Sequence, residues 1–224
     1  MPKTLQHILD WSEVWALLIP LTVLLFRPKQ PNVLKPVIIY LWLALFINLL
    51  GDLNVQFKEY FPSWFQGNNF LYNIHSVVRF ICFSWFFLLR KEPYFTTVKK
   101  AIPIIFVILF IINFVFLEDF FYYYYFSDHL LTVEAFLLLV YCMLYYLGQL
   151  RADTENFTGT PDFWLVTGLS IYVVVNFFVF LFYKPMNEQN IQLATRIWYV
   201  HNVAYIILCL FIARAFYVSD RSKY

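Results

Sequence analysis

Charge is scarce in this chain. Asp, Glu, Lys and Arg make up 13% of its 224 residues, while apolar and aromatic types make up 62%. Soluble domains carry about 25% charged and about 45–50% apolar residues, so a soluble globular domain is excluded and an integral membrane protein remains. No basic run and no nucleic-acid motif occurs, which removes nucleic acid from the partners. Cysteine is sparse as well: Cys82, Cys142 and Cys209 all fall inside apolar runs, and with none in a loop no structural disulfide is expected. His-Glu-x-x-His, Gly-x-Ser-x-Gly and glycine-rich phosphate loops are missing, so those hydrolase and nucleotide signatures are excluded.

What is present is a series of long apolar runs. They predict helices over residues 11–26, 37–57, 70–90, 101–117, 129–147, 162–183 and 191–217, most of them near the ~20 residues a bilayer-spanning helix needs. The expected fold is all-α, one seven-helix transmembrane domain over residues 1–224, with no room for a soluble domain. Pro20 predicts a kink in the first span, and Pro103 sits in the first turn of the fourth, where proline is tolerated. Asp162 is the expected N-cap of the sixth. The first run is read as retained: only Lys3 precedes it, and RPKQPN follows where a signal peptide would have a small-residue cleavage site.

Basic residues are divided unequally among the connections. Eleven of the sixteen, from Arg27, Lys29 and Lys35 through Arg90, Lys91, Lys99, Lys100 and Arg151 to Arg214, Arg221 and Lys223, fall on one side. Lys3, Lys58 and Lys184 fall on the other, and Arg79 and Arg196 lie within helices. The positive-inside rule then places the N-terminus outside and the C-terminus in the cytoplasm of a bacterial inner membrane. The fourth connection, Glu118 to Asp128, has seven consecutive aromatics and no basic residue, a composition suited to the outer interface.

Polar residues inside the runs cluster toward the outer side. Asn48 and Asp52 share a face of the second helix, and His75 and Arg79 share a face of the third. Glu134 lies in the fifth helix, Asn176 in the sixth, and His201 and Asn202 in the seventh. Counting about 1.5 Å per residue puts Arg79 near the bilayer midplane. There a charge costs about 3 kcal/mol or more, so it should face a carboxylate, Glu134 by depth or else Asp52. Arg196 points away from His201 and is expected to snorkel to headgroups. These residues predict a polar outer pocket of about 300 Å³ or more above an apolar floor.

The patterns narrow the function without naming it. Residues 191–217 hold no lysine, so a retinal Schiff base has no attachment point, and no cofactor is expected. Zinc needs three or four ligands. His75 and His201 with Asp52 and Glu134 are the one set deep enough, which leaves a metal-dependent, lipid-modifying membrane enzyme as an alternative. A structural or assembly subunit is the third reading, since buried polar groups also serve as interhelical clasps. The stretches PDFWLVTGLSIYVVVNFFVF (161–180), IWYVHNVAYIILCLFIARAFY (197–217), NNFLYNIHSVVRF (68–80) and LLTVEAFLLLVYCMLYYL (130–147) resemble uncharacterised seven-helix membrane proteins of the Bacteroidota. That resemblance implies a membrane component of a sensory system and carries no residue roles. The leading expectation is a sensor or receptor-like module. It would take a small polar or amphipathic ligand in the outer pocket and signal to a cytoplasmic or membrane partner, with the lipid bilayer as its surroundings.

Overall fold

The computed structural model describes residues 3–60, 68–90, 94–122, 126–152 and 157–221. Among them there is no strand. The chain folds as α1 (Lys3–Asp10), α2 (Ser12–Phe26), α3 (Lys35–Gln56), α4 (Asn69–Leu89), α5 (Thr96–Ile112), α6 (Asp128–Ala152), α7 (Pro161–Gln189) and α8 (Ile191–Arg221). Six helices, α3 to α8, are long and apolar enough to cross a membrane. The protein is an all-α, multi-pass membrane bundle.

α2 differs from the other apolar helices. Its 15 residues span about 22 Å at 1.5 Å each, short of the ~30 Å hydrocarbon core. The segment before it, expected as a polar lead, is helical. The chain bends at Trp11, and the Trp15 indole Nε1 donates to the Ile8 carbonyl at 2.8 Å, tying α1 back to α2.

The last three helices run longer than the apolar pattern alone indicates. α6 continues to Ala152, α7 to Gln189 past Pro185, and α8 to Arg221. The cap of α7 also differs from expectation. Thr160, one residue before Pro161, accepts from the Phe163 amide at 3.2 Å, leaving Asp162 in the first turn, where its charge suits the helix dipole. Asp162 meets Arg90 instead, at 3.2 Å. α5 starts at Thr96, after the left-handed Phe95 (φ 61°), and widens into a π-turn over Asn113–Leu117. α5 is peripheral, and Ile104, Val107, Ile108 and Ile111 on it are exposed, as side chains facing lipid would be.

Two ends can be distinguished. At one, Arg27 and Arg214 lie over Tyr217 and Trp164, Arg90 over Tyr145, and Arg151 over Phe95, so the cations sit on aromatic faces. Lys91 and Lys223 lie outside the described residues. The other end carries Asp10, Glu13, Asp52, Glu118 and Asp128. Between them the half nearer the basic end is filled by rings and aliphatic chains, including Phe83, Phe86, Phe87, Tyr141, Leu165 and Phe216. The three cysteines are buried and free. Residues 123–125 of the aromatic connection lie outside the described residues. Phe120 packs on Phe114, and Phe126 on Trp198 and Tyr183.

Candidate functional site

Arg79 stands in the middle of α4, and Glu134 lies two turns into α6. The guanidinium meets the carboxylate fork to fork: Nε to Oε1 at 2.5 Å and Nη2 to Oε2 at 2.6 Å. Ser76, one turn before Arg79, donates its hydroxyl to Oε2 at 2.6 Å, and the Tyr172 ring covers the guanidinium 5.0 Å from its centroid. Arg79 is 4% and Glu134 1% exposed. Of the two carboxylates considered for Arg79, Glu134 is therefore its partner, and Asp52 is elsewhere.

His201 lies beside this pair on α8, enclosed by Trp198, Phe180, Tyr172 and Tyr205. Its Nδ1 faces Asn176 Oδ1 at 2.5 Å and its Nε2 faces Glu13 Oε1 at 3.1 Å. The Asn176 amide nitrogen donates to the Tyr172 carbonyl at 2.8 Å, which fixes its oxygen toward the imidazole. Both ring nitrogens thus face acceptors. His75 stacks on Tyr40, its Nε2 3.4 Å from the tyrosine hydroxyl.

Asn48 and Asn202 hold the N-terminal segment. Asn48 Nδ2 donates to the Glu13 carbonyl at 2.8 Å and Asn202 Nδ2 to the Leu9 carbonyl at 3.0 Å. Asp52 faces Asp10 and Glu13 across a cavity of about 50 Å³ that Tyr72 and Trp198 also line. Deeper in, the space bounded by His75, Arg79, His201, Glu13 and Tyr205 is about 10 Å³. The sequence pattern predicts a chamber of about 300 Å³; of the eight residues, Arg79 meets Glu134 and Asn176 meets His201, Asn48 and Asn202 bond the N-terminal backbone, His75 stacks on Tyr40, and Asp52 lines the cavity of about 50 Å³. Glu13 and the α1 segment fold into the space a seven-helix count leaves open, and aromatic rings fill the rest. Arg196 is exposed on α8.

The zinc set does not assemble. Glu134 is committed to Arg79 and Ser76, His201 to Asn176 and Glu13. Among the described residues, the group of three or more His, Cys, Asp or Glu side chains whose donor atoms converge is Glu118, Asp128 and His129, none of which belongs to the expected set. Two large spaces, about 620 Å³ between α4 and α5 and about 440 Å³ beside α5, α6 and α7, are lined almost wholly by apolar side chains, with Ser84 and Thr132 as their polar members, and read as lipid-facing grooves.

Two groups of residues escaped the sequence reading. Glu13 and Asp10 complete the acid-lined cavity; Glu13 opens an apolar run and reads from the sequence as a wet carboxylate, whereas in the structure it also meets His201 at 3.1 Å. The second group ties the turn after the π-helix to α6. Glu118 accepts from Ser127, from Asn113 at 3.1 Å and from His129 at 2.7 Å, while Asn73 on α4 bonds the Phe120 carbonyl and the Ser127 amide, each at 2.9 Å. Burial alone would raise the Glu118 carboxyl, yet the hydrogen bonds from Ser127, Asn113 and His129 outweigh it and hold the pKa below the usual carboxylate value.

No protein-family model, characterised protein or solved structure matches this chain.

Proposed function

We propose that the protein is a receptor-like membrane sensor. The N-terminus and the acidic end face outward, α2 serves as a seventh span, and the basic end meets a cytoplasmic partner in a bacterial inner membrane. One observation carries this reading: a continuous buried path of polar contacts leads from the acid-lined cavity to the centre of the bundle. It runs from Glu13 through His201 and Asn176 to the Tyr172 carbonyl, and the Tyr172 ring lies on Arg79, which holds Glu134. Five helices (α2, α8, α7, α4 and α6) meet along it. A species that enters the cavity changes the charge balance at Glu13 and so acts on the packing of α2 against α8.

Size and charge define the ligand class. A cavity of about 50 Å³ edged by Asp10, Glu13 and Asp52 suits an inorganic cation or an ammonium-sized group. An amphipathic molecule does not fit without displacing Tyr72 or Trp198. The test is thermal unfolding of the detergent-purified chain with sodium, ammonium, guanidinium and magnesium salts. A species that binds here at a hundred times its Kd adds about 2.7 kcal/mol of stability, and the gain should vanish in Asp52→Asn. If no species shifts the midpoint and Asp52→Asn behaves as the unaltered chain, the polar path is a set of packing clasps.

Orientation is tested separately. Cysteine placed at Asn190 should react with a membrane-impermeant thiol reagent in intact cells, and cysteine at Lys100 should not. The opposite pattern would turn the acid-lined cavity toward the cytoplasm.

A further inference from the structure

Outside the buried path, one further cluster has the donor set of a metal centre. Glu118 follows the π-turn, Asp128 opens α6 and His129 is its neighbour. The donor atoms of the three lie within 4.8 Å of one another. A tetrahedral ion with bonds of about 2.0–2.2 Å needs donors about 3.4 Å apart, so the cluster is within a small side-chain adjustment of that spacing. His129 Nδ1 and Glu118 Oε1 are already 2.7 Å apart, in hydrogen-bond contact; a bound ion would take the place of the hydrogen between them.

Two independent features point the same way. Asn113 is 5% exposed, its amide nitrogen lies against Glu118 at 3.1 Å, and its carbonyl oxygen has no hydrogen-bond partner. Rotating this amide by half a turn exchanges nitrogen for oxygen; it gives up the hydrogen bonds to Glu118 and, at 3.0 Å, to Ser127, and with an ion in place it offers a neutral oxygen donor beside the Glu118 carboxylate. The cluster also borders a cleft of about 420 Å³, lined among the described residues by Asp119, Glu188 and Lys184 as well as Glu118 and Asp128. Four carboxylates there face the one ammonium of Lys184.

We propose that Glu118, Asp128 and His129 bind a divalent cation of the zinc class at the acidic end of the bundle, with Asn113 as a fourth donor and the cleft as the open approach. The imidazole selects a first-row transition ion over calcium or magnesium, which take oxygen donors. Bound there, the ion would staple the turn after α5 to the start of α6. The proposal does not depend on the sensor reading.

The experiment uses the full chain in detergent, stripped with chelator and titrated with zinc and, separately, calcium. Calorimetry and elemental analysis together should give one zinc per chain and no comparable calcium binding. His129 is 59% exposed, so His129→Ala should fold and bind zinc at least about tenfold more weakly; Asp128→Asn should do the same. His7→Ala, at the other exposed histidine, should bind like the unaltered chain. Absence of stoichiometric zinc would overturn the proposal. So would His129→Ala binding as tightly as the unaltered chain, or His7→Ala being the variant that loses the metal.

Discussion

Replacing Arg79 by alanine is expected to cost the bundle about 3–5 kcal/mol, because it leaves the Glu134 carboxylate buried without its counter-charge. Glu134→Ala should cost a similar amount for the mirror reason, with Ser76 and the face of Tyr172 left against an unpaired guanidinium. The pair as a whole is a different matter. Two well-packed apolar residues in its place, such as Arg79→Met with Glu134→Leu, avoid the desolvation of both charges and should lie closer to the unaltered chain than either single change does. The measurement is a double-mutant cycle on thermal or denaturant unfolding in one detergent. Additive losses, with the double variant worst of all, would mean the two side chains do not act as a pair. The same cycle separates packing from signalling: if the pair lies on the path from the acid-lined cavity, the apolar double variant should fold yet lose the stabilisation that cations give.

The Arg79–Glu134 pair was legible in the sequence for the reason that makes it costly to break. A charge in the middle of an apolar helix has few physical solutions, and of the two carboxylates considered Glu134 matched its depth better than Asp52. Helix positions were legible in the same way, since runs such as residues 70–90 and 191–217 leave little choice of structure. Glu13 was not legible, because a carboxylate at the edge of an apolar run satisfies its charge equally well in water or against a partner. What decides is the placement of α1 and α2, and that follows from long-range contacts, Asn48 with the Glu13 carbonyl and Asn202 with the Leu9 carbonyl. The size of the polar pocket was illegible too. Spacing puts Asn176, His201 and Asp52 at one depth, but whether rings such as Trp198 and Phe180 stand between them depends on rotamers and packing. The N-cap of α7 shows a smaller version of the same limit: Thr160 and Asp162 are both good capping residues, and Pro161 at the first helical position selects Thr160.

Gly168→Ala is expected to destabilise the protein by about 1–3 kcal/mol, the usual cost of forcing extra volume into a packed interior. In an isolated helix the same change is favourable by about 1 kcal/mol, so the sign alone is diagnostic. Gly168 lies on α7 where it crosses α8, and a Cβ built on it would come 2.3 Å from the Cβ of Phe211 and 2.9 Å from its Cγ. A Cβ is fixed to its own backbone, so no rotamer of Phe211 relieves the first contact and α8 must move away from α7. Small residues allow close helix approach of this kind in membranes, where the lipid offers no hydrophobic drive to hold helices together. The displaced seam includes Asn176 and His201, one on each helix, so their hydrogen bond should loosen with it. Unfolding of Gly168→Ala alone, of Gly168→Ala with Phe211→Ala, and of Gly168→Ala with Phe211→Gly resolves the cause. Phe211→Ala keeps the offending Cβ and should rescue little, whereas Phe211→Gly removes it and should restore the seam relative to Phe211→Gly by itself. A Gly168→Ala protein that melts at or above the unaltered chain would show that α7 and α8 do not approach this closely.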